Sequence, residues 1–261
     1  MGMAFGGVVL AWARMNLKHF NWVTAGIILL IAFTGFEGAK LLNDIQDIKG
    51  DRKSKKESLI SLGIISSRQA LFLGGSLSFI SLFLSILLGV WPAIFVFLTI
   101  VLHLFYSLPP FRLKRLLFLS SFILATEALL AMLTGYAALA PNPLISFPKR
   151  MAILVLFTLS LAFNTKDIKD IEGDKEEGIQ NLYTLFGIKK GKIINAVLVL
   201  IAYFSTPFII GYPPIALAAI PAGITTAWLI LSRYYREEKV FGIYIPFGLF
   251  IMFLIYKRLI F

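Results

Sequence analysis

The sequence predicts an all-α protein, a polytopic transmembrane helical bundle of eight or nine spans forming a single domain over residues 1–261. Three observations carry that expectation. Hydrophobic residues fill 58% of the chain and its mean hydropathy is +0.84, whereas soluble domains sit nearer half apolar. Only 15% of residues are charged, and they gather in a few clusters. Between the clusters run apolar stretches of roughly 17–25 residues, the length that crosses a bilayer as helix. Backbone groups in hydrocarbon must be satisfied within the helix, so strands are not the natural alternative.

Eight stretches fit. The first, near 20–43, ends where the acidic and basic residues of 44–68 begin. The second and third lie near 69–88 and 92–107, and "SLPP" at 107–110 closes the third because proline cannot continue a helix. The fourth, near 116–139, follows the basic connection 108–115. The fifth, near 150–165, ends at the charged stretch 166–190. The sixth and seventh, near 191–210 and 213–232, are divided by "GYPP" at 211–214, and the eighth lies near 241–257. The first 15 residues hold a small apolar patch and no convincing signal peptide.

Basic residues orient the bundle. The connections 44–68, 108–115, 166–192 and 233–240 hold eighteen of the 25 Lys and Arg, and the opposite side holds six. Lys40 lies inside a span. Cytoplasmic loops carry such an excess, which accounts for the net charge of +11 without a nucleic-acid partner. The expected location is the cell membrane, multi-pass, with the rich side in the cytoplasm. There are no cysteines, which excludes disulfides and thiolate metal sites.

Two acidic stretches stand out. "NDIQDIKGD" begins at Asn43 and "DIKDIEGD" at Asp167; at an offset of 123 residues Asp, Ile, Asp, Ile, Gly and Asp recur in step. Asp44, Asp47 and Asp51 are spaced by three and four, as are Asp167, Asp170 and Asp174, which puts each set on one face of a helix. Gly50 and Gly173 are expected to end those helices just before the last Asp. The charge bias puts both stretches on the same side of the membrane. Lys49, Arg52, Lys53, Lys169 and Lys175 could neutralise the acids locally as a solvated loop, but the repeat and the membrane edge favour a shared function. Hard oxygen ligands without sulfur suit Mg²⁺, which takes one or two carboxylates and shares its other positions with water and substrate phosphates.

The first stretch resembles the N-D-x-x-D-x-x-x-D signature of the UbiA superfamily of intramembrane prenyltransferases, and the second its D-x-x-D-x-x-x-D signature. "GIQNLYTLFG" (178–187) resembles the family's G-x-x-T-L-P-x-x-x-G continuation, and "YSLPPFRLKR" (106–115) its Tyr-to-Lys loop. The resemblance runs from about residue 30 to the C-terminus. It implies a central cavity facing the cytoplasm and an Mg²⁺-dependent transfer of a prenyl group from a polyprenyl diphosphate to a membrane-soluble acceptor. The acceptor could be aromatic or a glycerol-phosphate lipid, as in digeranylgeranylglyceryl phosphate synthesis. A non-catalytic carrier of divalent cations or lipid diphosphates is the reading from another class.

Residue by residue, the resemblance implies that Asn43, Asp47 and Asp51 hold one ion with Asp44 beside them. Asp170 and Asp174 would hold the other, supported by Asp167. Asp47, Asp51, Asp170 and Asp174 carry the catalytic expectation. Tyr106, Arg112, Lys114 and Lys166 are expected on the diphosphate. Two features depart from the family pattern: residues 4–15 stand where a further helix is usual, and "KSKKESLISLGIISSRQA" keeps only Ser61, Gly63 and Ser66 of the stretch that usually follows the first motif. Glu37, Lys40 and Glu127 lie within predicted spans, where ionisable groups are costly and point to function. Glu37 and Lys40, three apart, are expected to pair. Glu127 is expected to face the acceptor pocket or to hydrogen-bond another helix, and His103 to be a packed, hydrogen-bonded group.

Overall fold

The computed structural model describes residues 1–53, 58–168 and 171–261, without the side chains of 49–53. Every regular element among the described residues is helical: α1 (Gly2–Arg14), α2 (Trp22–Lys53), α3 (Ser67–Leu88), α4 (Val90–Ser107), α5 (Leu119–Ala137), α6 (Pro143–Ser146), α7 (Lys149–Ala162), α8 (Ile171–Glu176), α9 (Leu182–Ile210), α10 (Ala216–Leu231) and α11 (Glu237–Tyr256). Short 3₁₀ turns cover Leu113–Arg115, Phe163–Ile168 and Pro213–Ile215. Among the described residues, eight segments are long and apolar enough to cross a membrane: Trp22–Ile48, Ser67–Leu88, Val90–Ser107, Leu119–Ala137, Lys149–Ile168, Leu182–Ile210, Pro213–Leu231 and Glu237–Tyr256. Each overlaps one expected span. The breaks at 107–110 and 211–214 fall where proline set them, with α4 ending at Ser107 and α9 at Ile210.

Three details differ from expectation. Helix α2 continues through Gly50 to Lys53 and Gly173 lies inside α8, so neither glycine ends its helix; glycine inside a helix costs only about 1 kcal/mol relative to alanine. The second acidic stretch is not one continuous α-helix, since Asp167 sits on the 3₁₀ turn Phe163–Ile168 and Asp174 on α8. The sixth span begins at Leu182 rather than near 191. Asn181 caps that start, its side chain accepting from the Tyr183 and Thr184 backbone N–H groups at 2.9 Å each. Gly187, at φ 74° and ψ 165°, then kinks the chain. This conformation favours glycine. The kink turns Tyr183 back toward Gly191, where an added Cβ would lie 2.6 Å from the tyrosine ring.

The chain divides into two compact units. The first comprises residues 1–114, 127–147 and 172–178. Within it α2 lies along α3 at a glycine crossing: a Cβ on Gly38 would stand 2.9 Å from the Gly74 carbonyl oxygen. Ser81 Oγ also donates to the Ile31 carbonyl at 2.9 Å. The buried face of α3 is Ala70, Gly74, Ser81 and Ser85, while Phe72 is 79% exposed. That is the reverse of a soluble helix. Lipid does not drive large apolar side chains inward, so membrane helices approach through small residues and interhelical hydrogen bonds. Helix α1 is too short to span, yet Val8, Leu10 and Ala11 are fully buried. Side chains at Gly7 and Gly135 would collide with the backbone carbonyls of Met132 and Ala4 respectively. The patch at 4–15 is therefore a packed helix.

The second unit comprises residues 115–126, 148–171 and 179–261. Here α9 is the central helix, packed on α7 and α10, with α11 against α10. A Cβ at Gly223 of α10 would lie 2.9 Å from Tyr203 Cβ of α9. Arg150 donates to the Ile210 carbonyl at 3.2 Å, tying the end of α9 to the start of α7.

Candidate active site

The first motif occupies the end of α2 in the first unit. Asp44 and Asp47 are buried. Asn43 Nδ2 donates to Asp47 Oδ2 at 2.7 Å, the i, i+4 contact that helical spacing provides. The chain leaves α4 at Ser107 and turns through Leu113–Arg115, which brings two cations back to the same carboxylate. Arg112 Nη2 donates to Asp47 Oδ1 at 3.1 Å, and Lys114 Nζ makes a shorter bond to the same oxygen. Lys114 Nζ also lies 3.4 Å from Asn43 Oδ1. Arg112 holds φ 39°, a left-handed conformation that costs of order 1 kcal/mol for a residue with a side chain. Its ion pairs offset that cost.

Glu177, just beyond α8, completes the cluster. Its Oε2 accepts from Arg112 Nη2 at 2.5 Å and lies 4.0 Å from Lys114 Nζ. Two carboxylates thus share two cations in a site where all four side chains are at most 13% exposed. Burial pushes the Lys114 ammonium below its ordinary pKa, against the pull of Asp47. Burial likewise raises the Glu177 carboxyl, and the Asp47 charge raises it further. Nothing in the local sequence distinguished Glu177 from its acidic neighbours Glu172 and Glu176.

Of the second motif's described aspartates, Asp167 belongs to the second unit and Asp174 to the first. Asp167 is buried and accepts from Lys166 Nζ at 2.8 Å, so Lys166 is engaged by its neighbour. The turn carrying Asp167 is pinned by a polar cluster. Asn195 Nδ2 donates to Tyr183 OH at 2.8 Å and to Thr165 Oγ1 at 3.2 Å, and Tyr235 OH donates to the Thr165 carbonyl at 3.1 Å. Burial raises the Tyr235 pKa, which keeps that phenol a donor. Asn195 was legible in principle, as a fully buried amide inside an apolar span. Asp174 is half-buried on α8. Tyr106 is buried on α4, its ring 5.9 Å from that of His103. Asp170 and the side chain of Asp51 lie outside the described residues.

The other membrane-embedded groups find partners. Lys40 Nζ lies 3.9 Å from Glu37 Oε2 on α2, as the spacing predicts. Glu127 of α5 meets His103 of α4 at 3.2 Å, a contact between helices.

Among the described residues no three acidic or imidazole side chains gather to hold an ion. Asn43, Asp44 and Asp47 nevertheless offer oxygen donors on one turn of α2, from which Arg112 and Lys114 would have to be displaced at Asp47. Such a set fits a hard divalent cation.

The fold and the site together are those of a multi-pass helical membrane protein with a buried carboxylate–cation cluster at the end of one span. The chain belongs to the UbiA prenyltransferase family, which matches it over residues 2–255. A digeranylgeranylglyceryl phosphate synthase of Sulfolobus acidocaldarius is 33% identical over 222 residues, covering 84% of this chain and 77% of that relative. A UbiA homolog from Aeropyrum pernix, solved in the apo state, shares the fold with a TM-score of 0.73 at 18% identity, covering 97% of each chain. The UbiA homolog from Archaeoglobus fulgidus bound to DMAPP and Mg²⁺ aligns with a TM-score of 0.66 at 17% identity, over 98% of this chain and 96% of that one.

Proposed function

We propose that the protein transfers a geranylgeranyl-type group from its diphosphate to the free hydroxyl of a glycerol-phosphate lipid within the membrane. The products are an ether-linked lipid, diphosphate and a proton. The observation that carries the chemistry is the Asp47 carboxylate, buried at the end of α2 with Arg112 and Lys114 on one oxygen and Asn43 on the other. The choice of acceptor is supported by the relative that is 33% identical.

In this reading Asn43, Asp44, Asp47 and Asp51 hold Mg²⁺ at the first motif, and Asp167, Asp170 and Asp174 at the second. Mg²⁺, when bound, neutralises the charge that develops on the departing diphosphate. Arg112 and Lys114 turn from carboxylate to phosphate oxygens, which their forked and point-charge donors both suit. Tyr106 and Lys166 bind the diphosphate from α4 and from the second motif. The buried surroundings exclude the water that would quench a cation-like prenyl carbon. The two compact units act as one prenyltransferase domain, a reading supported by a family match that runs through both. The active site faces the cytoplasm, supported by the distribution of Lys and Arg.

The test is an assay of the purified protein with labelled geranylgeranyl diphosphate, Mg²⁺ or chelator, and two acceptors: geranylgeranylglyceryl phosphate and 4-hydroxybenzoate. Metal-dependent diphosphate release with a new ether lipid is expected, and Asp47→Ala is expected to lower turnover by at least about a hundredfold. Product from the aromatic acid alone would overturn the acceptor assignment. Tight metal-dependent binding without turnover on either acceptor would identify a carrier.

A further inference from the structure

A second polar chain runs through the helices of the first unit and ends on the first acidic motif. Its order is Glu127 on α5, His103 and Ser107 on α4, and Asn43 on α2. The distances are 3.2 Å from Glu127 Oε1 to His103 Nδ1, 3.2 Å from His103 Nε2 to Ser107 Oγ, and 3.1 Å from Ser107 Oγ to Asn43 Oδ1. His103 Nε2 also lies 3.1 Å from the carbonyl oxygen of Ala39. Nothing in the mechanism above uses Glu127, His103 or Ser107.

The proton positions follow from what each atom can do. Asn43 Nδ2 donates to the Asp47 carboxylate, so Asn43 Oδ1 faces the other way and can only accept. Ser107 has one hydroxyl proton, and it goes to that oxygen. The Ser107 oxygen then accepts from His103 Nε2. The Ala39 carbonyl can only accept as well, so both contacts require a hydrogen on Nε2. A neutral imidazole has one N–H, which leaves Nδ1 facing a carboxylate oxygen. A further proton must therefore lie between Nδ1 and Oε1, whichever of the two atoms it is bonded to. With that proton on Glu127 the donors run in one direction from α5 to α2, and with it on His103 the imidazolium donates to both sides; in either case Nε2 supplies Ser107 and Ser107 supplies Asn43.

We propose that Glu127, His103 and Ser107 are positioning residues for Asn43. Their hydrogen-bond direction fixes the Asn43 amide with one oxygen lone pair taken by Ser107 and the other turned toward the cation side, the side from which Lys114 Nζ approaches at 3.4 Å. This rests on reading Asn43 as a metal-site residue, and it assigns to the membrane-embedded acid an orienting role and not that of a base for the acceptor hydroxyl. A residue already sharing an extra proton is poorly placed to take another.

The experiment measures Mg²⁺-dependent binding of a non-reactive geranylgeranyl diphosphate analogue by calorimetry in detergent, with thermal melting as the check on folding. Ser107→Ala, His103→Leu and Glu127→Leu are expected to raise the half-saturating Mg²⁺ concentration about tenfold or more, the usual cost of losing a ligand's orienting partner. Glu127→Gln supplies an N–H to Nδ1 and preserves the direction of the chain. His103→Gln supplies an N–H near the Nε2 position. Both are expected to stay within about threefold of wild type. Unchanged Mg²⁺ dependence in folded Ser107→Ala and His103→Leu would overturn the proposal. So would a Glu127→Gln defect equal to that of Glu127→Leu, which would mark Glu127 as a proton carrier. A wild-type protein that binds the analogue with no need of Mg²⁺ would instead overturn the functional reading beneath it.

Discussion

Asp47 and Glu177 hold the same two cations but differ in what surrounds them. Glu177 lies outside the spans, and burial, reinforced by the charge of Asp47, raises its pKa above its ordinary 4.5. A carboxyl whose folded pKa exceeds its unfolded one favours the fold while protonated. That contribution is complete below pH 4.5 and fades as pH rises through the higher folded value. The wild-type melting temperature should therefore fall with pH over this window relative to that of Glu177→Gln, which stays uncharged. Thermal unfolding of both proteins in detergent between pH 4 and 8 measures the difference. Parallel curves would show that Glu177 ionises as freely in the folded protein as in the unfolded chain. In the same cluster the Lys114 charge is disfavoured by burial and favoured by Asp47, and in the proposed reaction a diphosphate competes with Asp47 for it.

At the scale of elements, small residues set how closely helices approach. Gly7 on α1 and Gly135 on α5 face each other's backbones, and any Cβ there would strike a carbonyl oxygen that cannot move independently. Gly7→Val should cost about 1–3 kcal/mol or more by overpacking, read as a lower melting temperature and loss of the folded detergent-soluble fraction. Gly2→Val is the control, since a Cβ there meets nothing within 4 Å. Equal stability of Gly7→Val and wild type would mean that α1 does not dock on α5. Interhelical hydrogen bonds supplement this packing. Ser81 reaches across to α2, and Asn195 joins α9 to the turn that carries Asp167.

For the whole molecule, the decisive quantity is the asymmetry of basic residues between the two sides of the bundle. In the proposed reading it orients the chain so that both acidic stretches face the cytoplasm. The protein has no cysteine, so single substitutions report sidedness without background. Asn142→Cys, in the connection before α6, should react with a membrane-impermeant maleimide added outside intact cells. Gln180→Cys, just before α9, should react only after the membrane is opened. The reverse pattern would invert the orientation and place the proposed site outside.

Period and composition alone determined that the chain is helical, that it carries eight stretches long and apolar enough to span a membrane, and where most of them end, because apolar length, proline and charge act locally along the chain. They also determined that Asn43 meets Asp47, since that contact is i, i+4 on a single helix. The ends at Gly50 and Gly173 were misjudged because glycine only weakens a helix, and whether it ends one depends on what packs around it. Only the tertiary structure decided that Arg112, Lys114 and Glu177 meet at Asp47, that Glu127 finds His103, and that residues 4–15 form a buried helix. Those contacts join residues far apart in the sequence, 67 positions for Lys114 and Asp47, and their partners are set by how helices cross in three dimensions, which no local periodicity encodes.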